Sequence, residues 1–130
     1  MKASASGATS PPTLAVDGRI GTLWNSGGYP SQWIEVDLQR PTRIAKVQLV
    51  GTDRPDGGVF LVLGKGPGTN GAYRLLHEFK GPAADREALV FTPNKPWRWI
   101  RYVRVVTPQV SAPVGWVAWR EIGVLAAPSR

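Results

Sequence analysis

A carboxylate and a hydroxyl set the first chemical question. In "LAVDGRIGT", Asp17 offers a carboxylate and Thr22 a hydroxyl, while Gly18 and Gly21 let the backbone fold tightly. A loop folded this way aims several carbonyls at one point. Carbonyls, carboxylates and a hydroxyl at about 2.3–2.6 Å are the donor set of a calcium cage. The same residues also make an ordinary Asp-Gly turn, so the loop alone leaves both readings open.

Other pairs could do other work. Glu35 and Asp37 lie two apart in "WIEVDL", which puts their α-carbons about 6.5–7 Å apart on one strand face. Inverting glycosidases hold carboxyl groups about 6.5–9.5 Å apart. A regular strand gives that spacing without any cleft, and nothing here implies a base. The single His77 excludes a site built on two imidazoles, and no Ser–His–Asp set can be argued around it. The absence of cysteine excludes thiol catalysis, disulfide staples and zinc–thiolate sites. The chain is therefore expected not to be an enzyme.

Charge and aromatic content point to binding. The net charge is +7, from 16 basic and 9 acidic residues, which favours acidic polysaccharide, nucleic acid or anionic lipid as partner, or simply keeps the chain soluble. Six tryptophans supply core bulk, and also flat faces for stacking on sugars or bases. In "PWRWIRYVR", Trp97, Trp99 and Tyr102 interleave with Arg98, Arg101 and Arg104, as in single-strand nucleic-acid binders. The two residue types do not segregate by strand face, so the segment reads as a structural strand and nucleic acid is not the expected partner.

The elements that must position these residues are strands. The 130 residues suffice for one domain with its own core. Twelve prolines and fifteen glycines punctuate short β-rich runs, the spacing of an all-β sandwich or barrel. "WIEVDL" alternates, with Ile34, Val36 and Leu38 on one face. "RIAKVQLVGT" alternates with Ala45, Val47 and Leu49 inward. "GVFLVLG" is apolar throughout and reads as a strand covered on both sides. With "YRLLHEFKG", "EALVFTP", "RWIRYVRVVTP" and "GWVAWREIGVL" the count reaches about eight strands, and "SPPTL" suits one short turn. No run of about 18 apolar residues occurs. The opening "MKASASGATSPP" lacks the apolar core of a secretion signal, and both ends read as flexible termini or linker stubs.

The ordered set "AVDGRIGTLW", "QWIEVDL", "RYVRV" and "WREIGVL" resembles the coagulation factor five/eight type C, or discoidin, family, and within it the family 32 carbohydrate-binding modules. The resemblance covers about residues 3–125. It implies an all-β, galactose-binding-like β-sandwich jelly roll of two antiparallel sheets. It also implies a structural calcium ion, with side-chain oxygens from Asp17, Thr22 and Glu121 and carbonyls from Leu14, Arg19 and Thr22. Such an ion would tie the loop to the final strand. Arg19 stands where the family often has Asn. A carbonyl ligand survives that change, but a guanidinium opposes a cation or could replace it by pairing with Asp17.

The resemblance places ligand in loops at one end of the sandwich, where one aromatic ring stacks on a pyranose. It points to Trp119, just before the last strand's Glu, and to Arg54. The same loops offer Trp116, Asp53, Asp56, Asn25 and Tyr29. Trp24, Trp33 and one of Trp116 and Trp119 are expected in or near the core. His77 does not match the His of many sugar binders. The implied function is a non-catalytic, monomeric module of a larger secreted or surface protein, binding carbohydrate that the charge suggests is acidic. The alternative is adhesion to anionic phospholipid or a protein, with Tyr29, Val114 and Trp116 as loop-tip contacts.

Overall fold

The two alternating runs predicted at 33–38 and 43–52 form one long strand. In the computed structural model, which describes residues 1–53, 58–68, 71–108 and 116–128, β3 runs over Gln32–Gly51. It bends in its middle. The register slips between Asp37 and Thr42, and Gln39 takes a φ of 72°. The Asp37 carboxylate accepts the Gln39 N–H at 2.7 Å, steadying the corner.

The bend makes β3 the shared spine of two layers. Its first limb lies between β1 (Lys2–Ala5) and β7 (Trp97–Thr107). The layer continues through β4 (Val59–Lys65) to β5 (Arg74–Lys80). Its second limb lies between β6 (Ala88–Phe91) and β8 (Ala118–Ala126), and β8 also pairs with the two-residue β2 (Trp24–Asn25). Every pairing is antiparallel. The short turn expected near 10–14 is a 3-10 turn at Pro12–Ala15, with proline at its start, where the missing N–H costs nothing.

Alternation explains the core. Ile34 and Val36 line the inner side of one layer together with Val103, Val105, Phe60 and Val62; Ile44, Val47, Leu49, Trp24, Trp119 and Ile122 complete the core from the other. Each fully buried Val, Leu or Ile contributes about 1.5–3 kcal/mol. The predicted inward position of Ala45 is corrected: Ile44 is buried and Ala45 is not, because the ladder to β8 slips between Ile44 and Lys46. The strand predicted as covered on both sides instead alternates, with Phe60 and Val62 buried and Leu61 and Leu63 partly open.

Strand direction defines two ends. Gln32 pairs with Thr107, Val59 with Lys80 and Gly51 with Trp119 at one end, here called the loop end. Asp37 and Lys65 both pair with Tyr102 toward the other, the turn end.

Candidate functional site

The 17–22 loop gathers oxygens around one hydroxyl. Thr22 Oγ1 lies 2.5 Å from Asp17 Oδ2, 3.2 Å from the Arg19 carbonyl and 3.4 Å from the Leu14 carbonyl. One hydroxyl has one proton to donate, so three acceptors around it exceed what it can serve. Glu121, on β8, accepts the Gly18 N–H at 3.1 Å. The Thr22 hydroxyl and the Arg19 N–H hold the Asp17 carboxyl below its ordinary range. Burial, then the Asp17 charge, pushes Glu121 the other way, against backbone N–H groups that lower it.

These residues fit a hard, oxygen-seeking cation. A carboxylate and two carbonyls surround the Thr22 hydroxyl, and a second carboxylate, Glu121, is bonded to the same loop at Gly18, an all-oxygen set of candidate ligands. Arg19 does not replace an ion by forming a salt bridge with Asp17: Asp17 takes the Arg19 backbone N–H, no salt bridge joins the two side chains, and the Arg19 charge acts on Asp17 only as a lesser influence on its pKa. The neighbouring Arg120 was not singled out from sequence. Its guanidinium grips Asp85 through two bonds, at 2.8 and 3.3 Å, and donates to the Ile20 carbonyl at 2.9 Å. Arg120 and Glu121 thus hold the same loop from consecutive positions of β8. The signal was their adjacency in "WREI".

At the loop end, Tyr29 and Trp116 stand exposed, at 57% and 47%. Backbone bonds bring their segments together. Ser26 N–H donates to the Val117 carbonyl at 2.9 Å, and Val117 N–H donates to the Gly28 carbonyl at 3.0 Å. Asn25 is half-buried, and its side-chain oxygen accepts the Gly27 N–H. Asp53 is exposed. Arg54, Asp56 and Val114 lie outside the described residues.

The expectation that Trp119 stacks on ligand is corrected. Trp119 is only 3% exposed. It meets Phe60 edge to face at 5.0 Å, pairs across the ladder with Trp24, and covers Gly51, where an added Cβ would sit 2.9 Å from the ring. The strand start turns Trp119 inward and leaves Trp116 outside. Trp24 is fully buried, its indole N–H donating to the Gly7 carbonyl.

The carboxylate pair considered for catalysis is engaged in ion pairs. Asp37 takes two bonds from Arg101, which hold its carboxyl below its usual range. Glu35 accepts from Arg104 at 3.1 Å and from the Tyr73 hydroxyl. His77 stacks on Phe91 at 3.6 Å, and burial lowers its pKa.

Comparison with known proteins fits this architecture. The sequence model of the F5/8 type C domain matches residues 1–122. The chain belongs to that family, and its fold is the galactose-binding-like β-sandwich. Among solved structures, the family 32 carbohydrate-binding module of C. perfringens NanJ in complex with galactose superposes with a TM-score of 0.76 at 17% identity, covering 95% of this chain and 91% of that one. A pectin-binding module gives 0.76 at 21% identity, covering 99% and 92%. The family 32 module of AlyQ in complex with 4,5-unsaturated mannuronic acid gives 0.77 at 16%, covering 98% and 95%. No curated protein sequence matches the chain.

Proposed function

We propose that this chain is a non-catalytic carbohydrate-binding module whose loop end takes the sugar. The observation that carries this is the exposed pair Tyr29 and Trp116, drawn together by the ladder between Ser26–Gly28 and Val117. A flat ring covers the apolar C–H face of a pyranose, and polar neighbours select its hydroxyls. Asp53 and Asn25 lie on the loops that could do so. The solved neighbours that bind galactose, pectin and an unsaturated mannuronic acid support the same ligand class. Such a shallow site binds weakly, and its use is to tether a larger secreted or surface protein and raise local concentration.

Calcium held by Asp17, Thr22, Glu121 and the carbonyls of Leu14 and Arg19 would serve structure. It would neutralise the two carboxylates and fix the loop against β8. The ligand does not touch it in this reading.

A glycan array of neutral and acidic polysaccharides tests the proposal, repeated with Tyr29→Ala and Trp116→Ala. Binding that falls in these variants supports it. Silence across the array, with binding to anionic liposomes instead, overturns it in favour of the adhesion reading.

A further inference from the structure

The aromatic and basic segment 97–104 lies away from Tyr29 and Trp116. Its most prominent residue is Trp99, 67% exposed, the highest value for a large apolar side chain among the described residues. Trp99 takes a φ of 60°, so Arg98 and Trp99 are both exposed where alternation would hide one of them. The ring is nonetheless placed. Its edge sits against Gly66, where an added Cβ would lie 2.8 Å from Cδ1 and 3.3 Å from Nε1. A glycine at that point lets the indole lie on the backbone.

Cations lie on the residues next to this ring and beyond it. Arg74 Nη2 donates to the Arg98 carbonyl at 3.2 Å. Lys65, next to Gly66, holds its ammonium 4.7 Å from the Tyr73 ring and 5.2 Å from Tyr102. Farther along the outer face of the layer, the Arg104 guanidinium lies 4.7 Å from Tyr73 and 3.8 Å from Trp33. The result is a continuous stripe from Trp99 through Lys65, Tyr73 and Arg104 to Trp33. Lys65 pairs with Tyr102 and Trp33 with Val106, so that part of the stripe spans about 13 Å at strand rise.

The stripe carries uncompensated charge. Arg101 and Arg104 have Asp37 and Glu35. Lys65, Arg74 and Arg98 form no salt bridge among the described residues. Beside the stripe is a depression of about 220 Å³ lined by Lys2, Ala3, Ser4, Glu35, Asp37 and Tyr102. The two carboxylates on this face, Glu35 and Asp37, are taken up by Arg104 and Arg101; Asp17 and Glu121 lie at the cation loop, Asp53 on the loop after Gly51, and Asp85 under Arg120. Lys65, Arg74 and Arg98 therefore keep their charge on this side of the sandwich.

We infer that this face is a second binding site, for a linear acidic polysaccharide carrying a carboxylate on each sugar. The inference rests on the carbohydrate reading and extends it to a surface that reading does not use. One pyranose stacks on Trp99, and successive carboxylates meet Arg74, Arg98 and Lys65. Single-stranded nucleic acid fits less well. Successive bases need open ring faces, and here Tyr73, Tyr102 and Trp33 are capped by cations, leaving Trp99 as the open platform of the stripe. A chain whose charges repeat along its length needs only one such platform and a row of cations.

The test is affinity electrophoresis and calorimetry of the full chain with polygalacturonate, at several salt concentrations. Trp99→Asn keeps a residue that tolerates positive φ; Arg74→Gln with Arg98→Gln removes exposed charge without touching the core. Each change is expected to weaken polygalacturonate binding at least tenfold, with melting temperature unchanged, while Lys80→Gln, an exposed charge that neither site uses, stays within twofold of the parent. Binding should weaken steeply with salt. Unchanged affinity in the Trp99 and arginine variants, with loss in Tyr29→Ala, overturns the second site and leaves the loop-end reading standing. Tighter binding of single-stranded DNA, with the same sensitivity to Trp99 and the arginines, overturns it in favour of nucleic acid. Absence of binding to any glycan overturns both readings.

Discussion

Gly18 and Glu121 are 103 positions apart, yet the Gly18 N–H donates to the Glu121 carboxylate at 3.1 Å. That contact closes the loop near the start of the chain onto its last strand. Arg120, one residue earlier, takes the Ile20 carbonyl of the same loop. The loop is thus clasped from both sides by consecutive side chains of β8. What the clasp leaves unbalanced is charge: Asp17 and Glu121 are close enough for the Asp17 charge to act on Glu121, and among the described residues neither forms a salt bridge, although the Arg19 charge favours ionised Asp17.

Calcium should supply the missing charge. Adding calcium to chelated protein is expected to raise the melting temperature by several degrees, as binding to the folded state alone requires. In Asp17→Asn and in Glu121→Gln the calcium-dependent rise should disappear. Differential scanning calorimetry reads both. An equal rise in parent and variants would place the ion elsewhere.

The same pair sets a pH dependence for the chelated protein. Burial and the Asp17 charge raise the folded Glu121 pKa above its ordinary 4.5. Its ionisation therefore opposes folding. The penalty is absent below that ordinary value and grows as pH rises through the raised one. Asp17 acts in the opposite sense, its contribution present above its ordinary value of 3.8 and lost as pH falls through the lowered one. Glu121→Gln should remove the first trend and leave the second. Melting temperatures from pH 3 to 8 would show it, and a parent curve without any loss from Glu121 ionisation would refute the assignment.

Trp119 and Trp116 should separate stability from binding. Trp119→Ala opens a cavity beside Phe60 and Gly51 and is expected to cost about 3–5 kcal/mol. Gly51→Ala, which would press a methyl against the Trp119 ring, should cost about 1–3 kcal/mol. Trp116→Ala should change urea-unfolding stability little and weaken sugar binding. Equilibrium unfolding beside a binding titration distinguishes the two tryptophans. A stable, non-binding Trp119→Ala would reverse their roles.

Periodicity made much of this fold legible. Ile34, Val36, Val47 and Leu49 are buried as their alternation predicts. The failures come where the strand is irregular. Ile44 displaces Ala45 because a register slip rotates the strand by one residue. Trp99 escapes the alternation of β7 because its φ is positive, which no residue type announced. Trp116 and Trp119 are three apart at the entrance to β8, where the phase is not yet set, so sequence could not say which turns inward. Asp17, Thr22 and Glu121 were legible as a group through the family pattern. Arg120 was not, since its partner Asp85 lies on a distant loop whose approach depends on tertiary structure.

Tyr73 gives a reading of the sheet face that needs no ligand. Burial, followed by its hydrogen bond to Glu35 and the charge of that carboxylate, raises its pKa from 10.0 to about 12, with Arg104 opposing. The neutral phenol is thus favoured in the folded state. Its stabilising contribution is complete below pH 10 and is lost as pH rises toward about 12. Ultraviolet titration of the folded protein should show one of the three tyrosines ionising near that value. Tyr73→Phe should delete the step, and Glu35→Gln should move it down by removing both the acceptor and its charge. Arg104→Gln should move it up, because the opposing cation is gone. If Glu35→Gln leaves the step in place, burial alone sets it and the Tyr73–Glu35–Arg104 network does not operate as described.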